Sequence, residues 1–164
     1  MAGTPALRVL DKAKVPYRVH IYEHDPSNRH FGEETAATLG IAAERIFKTL
    51  IAELVGATSA TACAVVPVSG QLDLKALASA TGAKKAAMID PVVAQRLTGY
   101  VVGGISPLGQ KKPMPVCIDT SAQQWSAILV SGGRRGLSIE MSPTELARIL
   151  GASFARLGRP GTPR

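Results

Sequence analysis

Glycine and proline cut this chain into short pieces, and that punctuation decides most of what it can become. Pro16 closes a first helical stretch that begins at the capping pair Thr4-Pro5, and Gly40 stops a second running from Glu33 to Leu39. Gly82 ends a third over Asp73 to Thr81, Gly99 a fourth that starts at Asp90-Pro91, and Gly151 a fifth. Proline lacks the N–H that a helix interior needs, and glycine readily takes the left-handed conformation that terminates one. The fifth helix has the fullest signature: Ser142 and Glu145 form a capping box, Pro143 suits the first turn, and Leu146, Ile149 and Leu150 share one side.

Short apolar runs fill the spaces between. Val15 to His24 alternates, with Tyr17, Val19 and Ile21 on one face and Arg18, His20, Tyr22 and His24 on the other. Ile46 to Ala52, Ala60 to Val68, Ala86 to Ile89, Tyr100 to Val102, Pro115 to Asp119 and Ala127 to Val130 follow as strands. Ser131 to Gly136 then turns the chain into Leu137 to Met141 as a hairpin. Helices and strands are unevenly interspersed, which predicts an α+β fold on a mixed, mostly antiparallel sheet and not the regular βαβ repeat of a doubly wound fold. A single domain over residues 1–155 fits the 164-residue length and 46% hydrophobic composition. Beyond it, Gly158, Pro160, Gly161 and Pro163 with Arg156, Arg159 and Arg164 read as a basic, Gly/Pro-rich tail over residues 156–164 that does not fold.

Lys and Arg outnumber Asp and Glu by 19 to 12, a formal charge of +7 that favours a polyanionic partner through steering and counterion release. Lys84-Lys85, Lys111-Lys112 and Arg134-Arg135 put part of that excess beside predicted elements. No apolar run approaches the roughly 20 residues that span a bilayer. The start, Met-Ala-Gly-Thr-Pro-Ala, has no basic segment followed by an apolar one, so a cytoplasmic location without membrane contact is expected. Cys63 and Cys117 each sit in an apolar run with no C-x-x-C partner and read as buried thiols. His20, His24 and His30 invite a metal, but no carboxylate or thiolate cluster accompanies them, and neither a metal nor another cofactor is expected.

Two features do not suit a plain core. Lys48 interrupts the apolar strand Ile46 to Ala52, which costs free energy unless its ammonium meets an anion or escapes to water. The stretch Gly103 to Lys112 gathers Gly103, Gly104 and Gly109 with Ser106, Pro107 and a terminal pair of lysines. Glycine lets a backbone approach a ligand and present its N–H groups, so the stretch can cradle an oxyanion. It matches neither the P-loop spacing nor G-x-G-x-x-G, and an ordinary surface turn remains the alternative. Phe31 beside its turn residues is either a site aromatic or a helix-entry staple.

The order of the motifs carries a further reading. Tyr22-Glu23-His24-Asp25-Pro26, Phe31-Gly32-Glu33, Phe47-Lys48-Thr49-Leu50, Pro67 to Asp73, Gly82-Ala83-Lys84-Lys85, Thr98 to Lys112 and Val130 to Leu137 run in sequence over nearly the full length. In this the chain resembles the YbaK/EbsC-type Cys-tRNA(Pro) deacylases, free-standing relatives of the editing domain inserted in bacterial prolyl-tRNA synthetases. The resemblance implies a sheet curled into a partly closed barrel with flanking helices, and a pocket for the aminoacylated 3′ end of tRNA. It implies the trans-editing removal of cysteine wrongly attached to tRNA(Pro), and of Cys-tRNA(Cys) as a further substrate, with prolyl-tRNA synthetase as a partner. It implies Lys48 at the centre of the pocket, Tyr22 and Phe31 bordering it beside Thr49, and Gly103, Gly104, Ile105 and Ser106 against the substrate. Ser131, Gly132 and Gly133 are implied beside them. Ser138 stands where close relatives can carry an acid, which removes any carboxylate role at that position.

An aminoacyl ester is already activated, so an enzyme need only fix its carbonyl, stabilise an oxyanion and admit a nucleophile. The sequence shows no Ser-His-Asp set. In the family the substrate's own thiol attacks its ester carbon, and a chain working in that way needs none. Lys48 is then expected to hold the terminal phosphate or ribose, with the Gly103 and Gly104 amides facing the oxyanion. The rival readings are a deacylase for another small amino acid, such as Ala-tRNA(Pro), and a non-catalytic tRNA-binding adaptor using the same basic face.

Overall fold

The computed structural model describes residues 3–160. Thr4 caps helix α1 (Pro5–Ala13) by accepting from the Leu7 amide, and α1 buries Ala6, Leu7 and Leu10. Strand β1 (Arg18–Ile21) leads to helix α2 (Phe31–Leu39). The chain continues through β2 (Phe47–Val55), β3 (Thr61–Pro67), β4 (Gly70–Leu72), α3 (Leu74–Thr81), β5 (Lys85–Met88) and α4 (Pro91–Thr98). It ends with β6 (Val116–Asp119), β7 (Ile128–Ser131), β8 (Leu137–Met141), α5 (Pro143–Leu150), β9 (Ser153–Ala155) and β10 (Gly158–Pro160). The glycines expected to stop helices do so: Gly40, Gly82, Gly99 and Gly151 follow α2, α3, α4 and α5 with φ of 67°, 72°, 81° and 61°. Half of the expected capping box forms, because Ser142 accepts from the Glu145 amide while the Glu145 carboxylate turns to Arg148.

The α+β class holds, and the strand pairing is mixed but mostly antiparallel, as expected. The larger has five strands in the order β5-β2-β3-β6-β9, antiparallel where β2 meets β3 and β5, and parallel from β3 to β6 and from β6 to β9. A separate antiparallel sheet, β1-β8-β7, meets it at a bridge between Ile46 and Leu129. The partly closed barrel is a correction: among the described residues no sheet closes on itself. Closure requires the two edge strands to pair, and the edges here are β5 and β9, at opposite ends of the sheet and only four and three residues long. The expected strand Tyr100 to Val102 is also absent. Its amides at Tyr100 and Val102 are taken by the Thr98 hydroxyl and the Gln95 side chain, which hold this segment on α4 as a loop.

Alternation along β2 and β3 buries both faces of the larger sheet. Phe47, Ile51, Cys63 and Val65 join the main core with α1, α5 and the three-stranded sheet, while Ala52, Leu54, Ala62, Ala64 and Val66 pack with Leu77 of α3 in a second. Cys63 and Cys117 fall in different cores, and burial pushes the Cys63 thiol up to about 12. No helix among the described residues is long and apolar enough to cross a membrane.

The stretch expected to trail as a tail is partly built in. Leu157 is fully buried, and Gly158–Pro160 pairs antiparallel with Gly70–Leu72. The cause is Asp119, far off in sequence, whose Oδ1 accepts from the Leu157 and Gly158 amides at 2.7 Å each while Oδ2 accepts from Ser121. Residues 161–164 of the expected tail lie outside the described residues. Burial pushes the Asp119 carboxyl up, but these hydrogen bonds outweigh it and hold the group below the ordinary carboxylate value. The stabilisation is therefore complete above about pH 4 and is lost as pH falls through the lower folded value. Asp119→Asn can accept on one side only, and is expected to cost about 3 kcal/mol in urea denaturation at pH 7 and to flatten the acid limb of the stability profile. An unchanged acid limb would remove Asp119 from this role.

Candidate active site

A cavity of about 410 Å³ opens between α2, the start of β2, the loop after α4 and the facing ends of β7 and β8. Its volume lies in the range of small-molecule sites. Lys48 borders it. The antiparallel register of β2 on β3 puts Lys48 opposite Val66, and its Nζ donates to the Gly70 carbonyl at 3.0 Å. Burial lowers the lysine's affinity for its proton, and the Glu33 carboxylate partly opposes this. An ammonium carries three donors, so two remain for a ligand.

Thr49, the next residue, also borders the cavity, and its hydroxyl is buried with no hydrogen-bond partner. Such a group costs free energy until something meets it. Across the cavity, the Thr35 hydroxyl donates to the Phe31 carbonyl, so the Tyr22 phenol must donate to Thr35. Burial pushes that phenol's pKa up, which keeps it protonated.

Phe31 starts α2 instead of preceding it, and its ring organises the glycine loop. The Arg135 guanidinium lies 5.0 Å from the ring centroid and its Nε donates to the Val102 carbonyl at 2.8 Å. On Gly103 a Cβ would fall 2.5 Å from the ring, and φ there is 89°, so only glycine lets the loop close on the aromatic. The Gly103 N–H donates to no group among the described residues. Ile105 and Ser131 line the cavity.

Four sequence-derived assignments change. The Gly104 amide donates to the Val101 carbonyl at 2.9 Å and is spent on the turn, so it cannot serve an oxyanion. Ser106 is fully buried and its Oγ accepts from the Leu108 amide, away from the cavity wall. Gly132 donates to the Leu137 carbonyl and accepts from the Thr4 hydroxyl. A Cβ on Gly133 would lie 2.9 Å from Thr4 and from Tyr100. These two glycines seat α1 and do not touch the cavity.

The cavity also takes in residues that sequence reasoning did not assign to it. Arg29, His30 and Arg134 are exposed cations or imidazole along its wall, and Ser138 adds a hydroxyl. Arg134 had a signal in its basic pair, whereas Arg29 looks like any solvated arginine. Glu140, two residues beyond Ser138, is engaged elsewhere: His20 at 2.7 Å and Arg45 at 2.9 Å hold its carboxyl below the ordinary range. His24 likewise pairs with Glu34 at 2.6 Å. Neither histidine–carboxylate pair borders the cavity.

The aminoacyl-tRNA editing domain matches residues 26–149 of this chain. A protein of Enterococcus faecalis, named as a candidate Cys-tRNA(Pro)/Cys-tRNA(Cys) deacylase, EbsC, is 42% identical over 155 residues, 94% of this chain and 92% of that one. The crystal structure of a candidate trans-editing enzyme for prolyl-tRNA synthetase superposes with a TM-score of 0.79 at 22% identity, covering 97% of this chain and 99% of the other. That of a hypothetical protein does so with a TM-score of 0.83 at 23% identity, covering 95% and 100%. At such identities the two solved structures bear on the fold.

Proposed function

Since this chain belongs to the aminoacyl-tRNA editing domain family, we propose that it is an aminoacyl-tRNA deacylase that removes cysteine wrongly attached to tRNA(Pro). The observation that carries this reading is a cavity of about 410 Å³ bordered by the half-buried Lys48 ammonium and by Gly103, whose N–H is unspent among the described residues, with neither histidine–carboxylate pair on its wall. Such a wall suits an ester that brings its own nucleophile.

In this reading the terminal ribose or phosphate of the tRNA lies against Lys48, and the ester carbonyl against the Gly103 N–H. Thr49 meets a polar group of the aminoacyl end, and Tyr22 closes the far side. The substrate's Sγ attacks its own carbonyl carbon, the bond from that carbon to the ribose oxygen breaks, and the thiol proton ends on the ribose. The products are the four-membered thiolactone of cysteine and uncharged tRNA. Lys48 stabilises the negative charge that passes from sulfur to carbonyl oxygen and then to the leaving ribose oxygen. Arg29 and Arg134 extend the positive field along the route of the acceptor strand. Choice among tRNAs falls to a partner, prolyl-tRNA synthetase, in the cytoplasm.

A panel of Cys-tRNA(Pro), Cys-tRNA(Cys), Ala-tRNA(Pro) and Pro-tRNA(Pro) tests this. Both cysteinyl esters should be cleared and Pro-tRNA(Pro) left intact. Salt-sensitive tRNA binding with every ester untouched would make the chain an adaptor instead.

A further inference from the structure

The partner of Lys48 within the protein is not a side chain but the carbonyl of Gly70, and what fixes that carbonyl lies at the other end of the sequence. Gly70 opens β4, a strand of three residues whose pairing partner is β10. The contact is close, since a Cβ on Gly70 would lie 2.5 Å from the Arg159 carbonyl oxygen. Gly70 does not have a positive φ, so approach to β10, not backbone conformation, is what demands glycine there. The approach to β10 is itself anchored twice. Asp119 gathers the Leu157 and Gly158 amides, and the Leu157 carbonyl accepts from the Asp73 amide at 2.7 Å.

We propose that the C-terminal strand β10 is a positioning element for Lys48, anchored by Asp119 and acting through the Gly70 carbonyl. The proposal rests on Lys48 being the group that holds the ester. With one N–H committed to Gly70, the ammonium is kept at the cavity wall with two donors left for a ligand. Without β10, β4 loses the strand beside it and the lysine regains the freedom that a four-carbon stem allows. Preorganisation of this kind acts on the chemical step more than on binding, because binding draws on the whole acceptor end while only the reacting geometry depends on one ammonium.

The test compares wild type, Gly70→Ala and Asp119→Ala in the full chain. Acetic anhydride labelling, read peptide by peptide, reports how accessible the Lys48 amine is, and steady-state kinetics on Cys-tRNA(Pro) reports the reaction. Both variants should label Lys48 severalfold faster than wild type, and kcat should fall by about tenfold with KM within about twofold. Leu146→Ala, which opens a cavity in the main core away from β4, serves as a match for lost stability and should leave Lys48 labelling unchanged. If Gly70→Ala does not fold, Asp119→Ala, which removes the acceptor of both the Leu157 and the Gly158 amides, still loosens the same strand from its other end. Wild-type labelling in a folded variant, or a rise equal to that of Leu146→Ala, overturns the proposal. Because labelling needs no substrate, faster labelling alongside a wild type that cleaves no mischarged tRNA would overturn the deacylase reading and leave the hold of β10 on Lys48 standing.

Discussion

Lys48→Ala is expected to lower kcat for Cys-tRNA(Pro) deacylation by roughly a hundred- to a thousandfold, the about 3–4 kcal/mol that a preorganised donor contributes in a water-poor site. The size of the effect follows from where the ammonium sits. It is half-buried, and burial already disfavours its charge, so the protein maintains a costly cation beside the cavity. A charge held in such surroundings interacts with a developing oxyanion more strongly than one in water. The fold should tolerate the change, because the substitution removes the desolvated charge together with its single hydrogen bond to Gly70. Melting temperature within a few degrees of wild type, with activity nearly gone, is the expected pair of results. Lys48→Arg should recover little, since a planar guanidinium cannot replace a compact ammonium between a carbonyl and a substrate. Full activity in Lys48→Ala would take Lys48 out of the mechanism, and with it the role proposed for β10.

Lys48 was legible because a lone cation in an apolar strand is expensive wherever the strand goes. The helix ends were legible for an equally local reason: Gly40, Gly82, Gly99 and Gly151 need no partner to do their work. Gly104 and Ser106 misled because a glycine-rich loop advertises several amides, and only tertiary contacts decide which are spent. The Val101 carbonyl takes the Gly104 amide, and Phe31 with Arg135 settles how the loop lies. Gly132 and Gly133 had the same fault, since their partner Thr4 lies at the other end of the chain. The built-in part of the tail could not be read at all. Gly158 and Pro160 have the composition of a disordered end, and the acceptor that orders them is a carboxylate at position 119. Closure of the sheet into a barrel was likewise beyond local signals, because it depends on which edges meet.

Ser-tRNA is expected to be deacylated at least about 100-fold more slowly than Cys-tRNA on the same tRNA body, although the two differ by one atom. Size cannot produce that ratio. A pocket that admits cysteine admits serine and alanine, whose side chains are no larger, and a steric filter rejects only what is too big to enter. The difference must come from the attacking atom. A thiol with an ordinary pKa near 8.5 is a few per cent thiolate at pH 7 and strongly nucleophilic, whereas a serine hydroxyl is essentially undissociated. The rate on Cys-tRNA should then rise about tenfold per pH unit below the thiol's pKa and level off above it, because only the thiolate attacks. Ala-tRNA(Pro), which fits but carries no nucleophile, should be left nearly intact. Water attack predicts the opposite pattern, with alanyl, seryl and cysteinyl esters cleaved at similar rates and no inflection at the thiol's pKa. That pattern would require a general base at the cavity. The two histidine–carboxylate pairs do not border it, so the exposed Glu33 and His30 would become the residues to mutate.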